Sequence, residues 1–430
     1  MLVLSCVGGN RSMIRFSLLF STIWILSACQ LAAGQTPSAA LTGNNWYVSP
    51  LGSDVVTCGS AASPCATINY VDVNKVAAGD TVHVTGTFDL TSGTCIVTNH
   101  SGTAANPITW KADPPASAFI NGQGNCQDIW YSFGDTTGYI KIIGFDMTGV
   151  KLGAEPNSGF LLQGGLGNYE VAYNTLHDFG WTNPIGFGAA MNLGPWAAGN
   201  YSGRTCSAHD NIFRNIAAGF TGSHDGYAIY SDCSNNGGDT DPTLYNNLIY
   251  NEGSIGIHLW HSANHHHIYN NTIDNTTYGI LVGTGDQGGV NGAVDDVVNN
   301  IVTNCRLACI YAEDQPSYKL SASTTFYNNL TYGDTGPYSW GYNGTANAIF
   351  TTFGTANEKV GVDPKYTSAG TANFVPASGS PVLGAGLNNS YTPTLDLAGL
   401  TRPNPPAIGA YETSLLQKPN PPTNVQVTVN

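Results

Sequence analysis

Positive charge is scarce in this sequence. Only 14 Lys and Arg stand against 28 Asp and Glu, a formal net charge of -14. Nucleic acid is disfavoured as a partner, because its phosphates demand a basic surface that replaces their counterions. The same imbalance makes an unaided grip on an anionic glycan awkward, although a bound cation such as Ca²⁺ reverses a local field. Other absences narrow the chemistry further. There is no CxxC pair to support a structural zinc site, no Gly-rich phosphate loop with its Lys, no nucleophile elbow and no HExxH. Nucleotide chemistry and zinc proteolysis fit poorly. Long apolar runs are missing too, and the one candidate, Phe16 to Leu26, is too short to span a bilayer.

That run follows Arg11 and Arg15 and reads as an export signal over residues 1–28, with Met13 as an alternative start. Leu26-Ser27-Ala28-Cys29 resembles a bacterial lipobox, in which the cysteine is lipidated and becomes the new N-terminus. A secretory cut near Gly34 is the competing reading. Both export the protein, and the lipid on Cys29 is the only membrane contact expected of a body read as a monomer. Setting Cys6 and Cys29 aside leaves Cys58, Cys65, Cys95, Cys126, Cys206, Cys233, Cys305 and Cys309. In an exported chain they predict disulfides, and local pairing favours Cys58 with Cys65 and Cys206 with Cys233, then Cys95 with Cys126 and Cys305 with Cys309.

What is abundant is Asn in a recurring phrase: YNTLHDFG at Tyr173, HDNIFRN at His209, YNNLIYN at Tyr245, YNNTIDN at Tyr269, VNNIVTN at Val298 and YNNLTYG at Tyr327. From Asn174 through Asn211, Asn247, Asn271 and Asn300 to Asn329 the steps are 37, 36, 24, 29 and 29, which suit single coils of a solenoid, some with loops. A second phrase alternates with the first, beginning ahead of it: GFLLQG at Gly159, GAAMNL at Gly188, GYAIYSD at Gly226, GIHLWH at Gly256, GILVGT at Gly279 and ACIYAED at Ala308. Strict alternation predicts two inward columns, Phe160, Ala189, Tyr227, Ile257, Ile280, Cys309 and Leu162, Met191, Ile229, Leu259, Val282, Tyr311. The Asn side chains are expected to bond up and down the stack at a turn.

Upstream, YVSPLGSD at Tyr47, SPCATI at Ser63 and AGDTVHV at Ala78 are similar to the N-terminal cap of right-handed parallel β-helix proteins, including pectate-lyase-like and chondroitinase-like polysaccharide lyases. The resemblance implies an all-β, right-handed, single-stranded parallel β-helix over residues 46–412, with a cap helix near Ala66 to Ala77. A polar spacer, 29–45, precedes it. The stretch from Val362 to Glu412 resembles the C-terminal close of such proteins and reads as a cap, and residues 413–430 form a Pro-rich linker and tail. The resemblance is specific for fold and weak for function.

The outward positions of the second phrase collect Tyr230, Trp260 and His258, with Asp232, His261, Asp286, Glu313 and Asp314 where the strands turn, and Gln163 and Asn192 extending the row. Aromatic faces beside carboxylates suit a sugar, so Tyr230, Trp260, Asp232, Asn192 and Gln163 are the expected binders of a polysaccharide. Decoration of a solenoid surface is the bland alternative for each residue alone. Hydrolysis needs a carboxylate pair about 5 Å or about 6.5–9.5 Å apart. Asp286 lies one coil from Glu313 and Asp314, whereas Asp232 lies three coils from Glu313, about 14 Å at strand spacing. Asp286, Glu313 and Asp314 equally suit Ca²⁺, and the sequence leaves both readings open. A lyase needs a base and a group that neutralises a uronate, and Arg306 or Lys319 near Glu313 and Asp314 is the most lyase-like grouping, with His258 and His261 as further acid–base candidates. The paired-Asp signature of polygalacturonases is absent. His265-His266-His267 invites a metal reading, but adjacent side chains on a strand diverge, and a solvated loop is preferred. The sequence therefore predicts an exported glycan-cleaving β-helix, lyase or hydrolase, against a non-catalytic adhesin or surface protein.

Overall fold

A computed structural model describes residues 43–91, 95–151, 157–180, 188–194, 205–220, 226–234, 241–285 and 289–413. The expected signal, the lipobox Cys29 and the tail beyond 413 lie outside them. Three long sheets run the length of the body, of 11, 10 and 10 strands, and almost every strand pairs in parallel with its counterpart one coil away. The chain is a parallel β-helix, right-handed as parallel crossovers are. One coil shows the plan. Cys206–His209 lies in the first sheet, Ile212–Arg214 in the third, Gly226–Ser231 in the second, and Thr243–Tyr245 returns to the first. The second sheet is called the front sheet below.

The Asn phrase does what the repeat implied. Each Asn side chain donates from Nδ2 to Oδ1 of the next, from Asn174 to Asn211, Asn247, Asn271, Asn300 and Asn329, at 2.9–3.1 Å. The same Oδ1 also accepts the preceding backbone N–H, as Asn271 does from Asn247. The residue before each ladder Asn supplies the bend, with φ near +55 at Asp210, Asn246, Asn270 and Asn299. Asn is among the few residues that adopt this region readily. The ladder ends on Glu358, whose carboxylate accepts the Asn329 N–H at 2.7 Å.

Inside, the third sheet contributes Leu176, Phe213, Ile249, Ile273 and Val302 in register, and the front sheet contributes Phe160, Met191, Ile229, Ile257, Ile280 and Ile310. All are buried. The front-sheet columns differ from strict alternation. Gly159, Ala190, Ala228, Gly256, Gly279 and Cys309 also face inward, directly before the apolar column, so two successive residues share one side at a bend. Small residues are needed there because the space is filled from the third sheet: a Cβ on Gly256 would meet Ile273, and one on Gly279 would meet Val302. Counting by two from Gly188, Gly226 and Ala308 therefore starts at the wrong residue. Ala189, Tyr227 and Tyr311 face outward, and Met191 and Ile229 belong in the column of Phe160.

The N-terminal end is covered by helix α1, Ile68–Asn74, which buries Ile68 and Val71. It is shorter than expected at both ends. Asp54 holds the backbone N–H groups of Ala66 and Thr67 before the helix, and Asp80 takes the Ala77 N–H after it. At the other end helix α2, Ile349–Thr352, brings Ile349 and Phe353 against the core beside Trp340. The segment read as a C-terminal cap instead returns along the flank of the third sheet. Its hydrogen bonds include Asn270 to Ala407 and Asn299 to Leu387, and Val382 and Ile408 pack on Ile301 and Leu330. All four expected disulfides are present: Cys58–Cys65, Cys95–Cys126, Cys206–Cys233 and Cys305–Cys309. No helix among the described residues is long and apolar enough to cross a membrane.

Candidate functional site

The outer face of the front sheet is built from columns one strand apart, about 4.8 Å. One column runs Tyr131, Leu161, Asn192, Tyr230, His258, Leu281 and Tyr311. Tyr230 thus stands between Asn192 and His258, as the outward set of the sequence implied. At the strand end Asp232 precedes the disulfide-bonded Cys233, and His261 lies at the corresponding turn of the next coil.

Three of these groups converge. The Tyr230 hydroxyl lies 2.9 Å from His261 Nδ1, and both Asp232 carboxylate oxygens lie 3.2–3.3 Å from the same nitrogen. Tyr230 also hydrogen-bonds Asp232. Burial pushes the Asp232 carboxyl up to about 6, with His261 and Tyr230 opposing that shift. His261 has φ +45, a left-handed conformation that is uncommon for a non-glycine residue and concentrated at functional sites. Gly285 makes room for it, since a Cβ there would lie 2.4 Å from the His261 backbone nitrogen.

Around this array is an aromatic wall. Tyr227 stacks on His258 at 5.0 Å, Tyr230 meets His258 edge-on at 5.2 Å, and Trp260 lies 5.1 Å from it. The Trp260 indole extends over Gly283 of the next coil, where a Cβ would fall 2.7 Å from the ring. His258 is 0% exposed and Trp260 9%. His258, expected among the catalytic groups, packs between the rings of Tyr227, Tyr230 and Trp260. His261 is partly exposed at the edge of this wall, with the Trp260 ring beside it. Asn192 is buried beside Tyr230, and its Oδ1 has no hydrogen-bond partner among the described residues. Such an atom is costly unless a ligand or water completes it.

The remaining expected residues separate from this centre. Asp286 lies outside the described residues. Glu313 sits three strands from Asp232 in one row, about 14 Å at strand spacing, and accepts from Gln315. Asp314 is committed on both oxygens, to the Leu320 N–H and the Tyr342 hydroxyl. That leaves Asp314 little to offer Ca²⁺. Arg306 sits before its front strand and Glu313 at its far end, a strand length apart. Its guanidinium is tied to the carbonyls of Glu252 and Gly253, to Thr277 and to Asn275. Arg306 thus staples a turn and does not join Glu313 and Asp314. Lys319 is exposed on the loop beyond. Gln163 lies partly exposed in the row of Asp232, two strands away.

The histidine run points three ways. His265 is exposed, His266 turns inward to Ser231 at 2.8 Å, and His267 lies between Asp241 and Asp296 at 3.0 Å from each. They share no ion. The one His, Cys, Asp and Glu grouping close enough for a metal among the described residues is Asp54 with Cys58 and Cys65, and those cysteines are joined as a disulfide.

Residues not anticipated extend the same face toward the N-terminus. Tyr131 and Phe133 stack at 5.7 Å with Phe133 52% exposed, and Asp128, whose carboxyl burial raises to about 6, bonds Ser158 beside them. The signal was the alternating stretch DIWYSF one coil before GFLLQG.

No protein-family model and no curated protein sequence matches the chain. Its fold is similar to that of pectate lyase Pel9A, with a TM-score of 0.52, 14% identity, and coverage of 87% of this chain and 97% of that one. It is also similar to a rhamnogalacturonan lyase, with a TM-score of 0.50, 17% identity, and coverage of 84% and 99%. The likeness at this identity is one of fold, the right-handed parallel β-helix.

Proposed function

We propose that the protein is an exported, glycan-cleaving enzyme that acts by β-elimination on a uronate-containing polysaccharide, with Tyr230 as the proton-transferring group. The observation that carries this reading is the convergence of Tyr230 and Asp232 on one nitrogen of His261. Held so, Tyr230 can pass its hydroxyl proton to His261 Nδ1 and, as the phenolate, take the proton beside a uronate carboxylate. The released electron pair forms the carbon–carbon double bond as the glycosidic carbon–oxygen bond breaks, and the same phenol returns the proton to the leaving oxygen. In this reading the Asn192 amide beside it hydrogen-bonds the uronate, and the Trp260 ring packs against a sugar ring. Asp232 and Glu313, about 14 Å apart, do not form a hydrolytic pair, and the Asp286 that would pair with Glu313 lies outside the described residues, so elimination is the reading the described geometry supports. Four disulfides favour an oxidising compartment, and Cys29 as lipid anchor belongs to the same proposal.

The near closure of the aromatic wall is the one feature that favours a binding-only adhesin. Incubation of the purified chain with neutral and uronate-containing glycans, with and without Ca²⁺, separates the readings. Absorbance at about 235 nm reports the unsaturated ends of elimination. Reducing ends without that absorbance indicate a hydrolase, and binding without any product indicates the adhesin.

A further inference from the structure

A cleft of about 540 Å³ opens at the end of the third sheet, lined by Tyr250, Asp274, the amides of Asn251, Asn275 and Asn304, and the turn Ala369–Ala372. It shares no residue with the front-sheet array, and its volume falls in the range of small-ligand sites. Its floor is periodic. Tyr250 and Asp274 are register partners on adjacent strands, and Asn251, Asn275 and Asn304 follow at φ +56 to +57 on successive coils, about 4.8 Å apart.

The hydrogen-bond inventory leaves capacity on this floor. Asn251 donates to Asn215, Asn275 to Asn251, and Asn304 to Asp274, so each amide spends one of two N–H groups. Asp274 Oδ1 accepts from Thr303 at 2.6 Å and Asn304 at 2.7 Å, and these bonds leave Oδ2 uncommitted. Tyr250 closes one side with its ring against Phe374 at 5.3 Å. The roof is made of small residues, and nothing lies within 4 Å of a Cβ placed on Gly370.

We propose that this cleft is a second carbohydrate site that takes an uncharged sugar unit, its ring against Tyr250 and its hydroxyls on the Asn amides and the Asp274 carboxyl. An aromatic face beside amides that can donate to hydroxyls at sugar-like spacing is the chemistry of neutral glycans. A uronate would bring its charge against Asp274. Burial holds the Asp274 carboxyl above its ordinary range, which further favours a hydroxyl donor over an anion.

Calorimetric titration of the full chain with cellobiose, xylobiose and galactobiose, and with digalacturonate as the charged control, tests the site. At least one neutral disaccharide is expected to bind, with digalacturonate failing to displace it. Gly370→Trp, which fills the cleft from an exposed turn, and Tyr250→Ala should each weaken that binding at least tenfold, while Tyr230→Phe leaves it unchanged. Gly370→Trp keeps the test valid should Tyr250→Ala unfold the flank. No binding by any neutral probe, full binding by Gly370→Trp, or loss in Tyr230→Phe overturns the proposal. Such outcomes are separable from failure of the front-sheet reading, which is judged by product formation alone.

Discussion

Tyr230 and Asp232, two residues apart at one strand end, meet on a single atom: His261 Nδ1 lies 2.9 Å from the phenol oxygen and 3.2 Å from the nearer carboxylate oxygen. That nitrogen carries at most one hydrogen. It can donate that hydrogen or, without it, accept one, so the protonation states of the three groups are coupled and removing any one of them unsettles the other two.

Replacing Tyr230 with Phe keeps the ring in the wall and deletes the oxygen. Elimination should fall by roughly 10²- to 10⁴-fold, the usual contribution of a positioned acid–base group. Initial rates at about 235 nm beside an unchanged far-ultraviolet circular dichroism spectrum would check it. A rate within threefold of the parent would remove Tyr230 from the chemistry.

Asp232 sets a pH limb. Its carboxyl is held near 6, so below that value it is protonated and no longer holds His261 as an anion. Activity should rise with pH through about 6 in the parent chain. Asp232→Asn should lose that limb along with most of the rate, and an unaltered profile in the variant would assign the titration elsewhere.

Phe133 and Tyr131 lie along the front face, three strands from Tyr230, about 14 Å at strand spacing. A polymer lying across both would be gripped there only when it is long enough. Phe133→Ala should raise KM for long chains by roughly 2- to 10-fold, in line with about 0.5–1.5 kcal/mol for a stacked ring, and leave kcat untouched. Equal effects on a disaccharide substrate would argue against a remote platform.

These front-face residues show where the sequence stopped being readable. The Asn phrase starts at Tyr173, so the coils before it carry no register mark, and Asp128, Tyr131 and Phe133 went unplaced. Tyr227 and Tyr311 were assigned inward because the inward pair at the bend breaks period-two counting, and that bend depends on Ile273 and Val302 in another sheet. Arg306 was grouped with Glu313 by nearness along the chain, whereas one extended strand separates them. The repeat and the disulfide partners are legible because each is a recurring phrase or a relation within one coil, and the cap helix because its flanking phrases resemble the caps of parallel β-helix proteins.

The ladder supplies a stability test. Asn271 accepts from the Asn247 N–H and Nδ2 and donates to Leu244 and Asn300, all without solvent. Asn271→Ala leaves several buried groups unpaired and should cost about 3–5 kcal/mol, at about 1–3 kcal/mol for each unsatisfied group with partial relaxation. Urea unfolding followed by fluorescence would measure it, and a loss below about 1 kcal/mol would mean that water replaces the amide.

Glu358 makes the end of that ladder pH-sensitive. Burial pushes its carboxyl up to about 8 from an ordinary 4.5. Below about 4.5 both folded and unfolded chains hold the proton, so the stabilising contribution is whole. Between 4.5 and 8 only the unfolded chain releases it, and the contribution is lost as pH rises through the folded value. Glu358→Gln should flatten this slope and raise stability at pH 8 by roughly 1–2 kcal/mol after allowance for solvent screening, with little change at pH 4. Thermal melts at the two pH values would show it.

Each amide in the row donates once to the next side chain, from Asn174 to Asn329 and on to Glu358, and once back to a backbone carbonyl of the coil before, as Asn271 does to Leu244. The row ends on Glu358, whose side-chain oxygens accept from Asn329, so the inner amides are alike while the last position needs only an accepting oxygen. A whole coil spliced in between Asn247 and Asn300 would reverse no donor and orphan no acceptor. Length along the axis, and with it the reach of the front face, is thus free to vary by units of one turn, provided an accepting oxygen stays where the amides end.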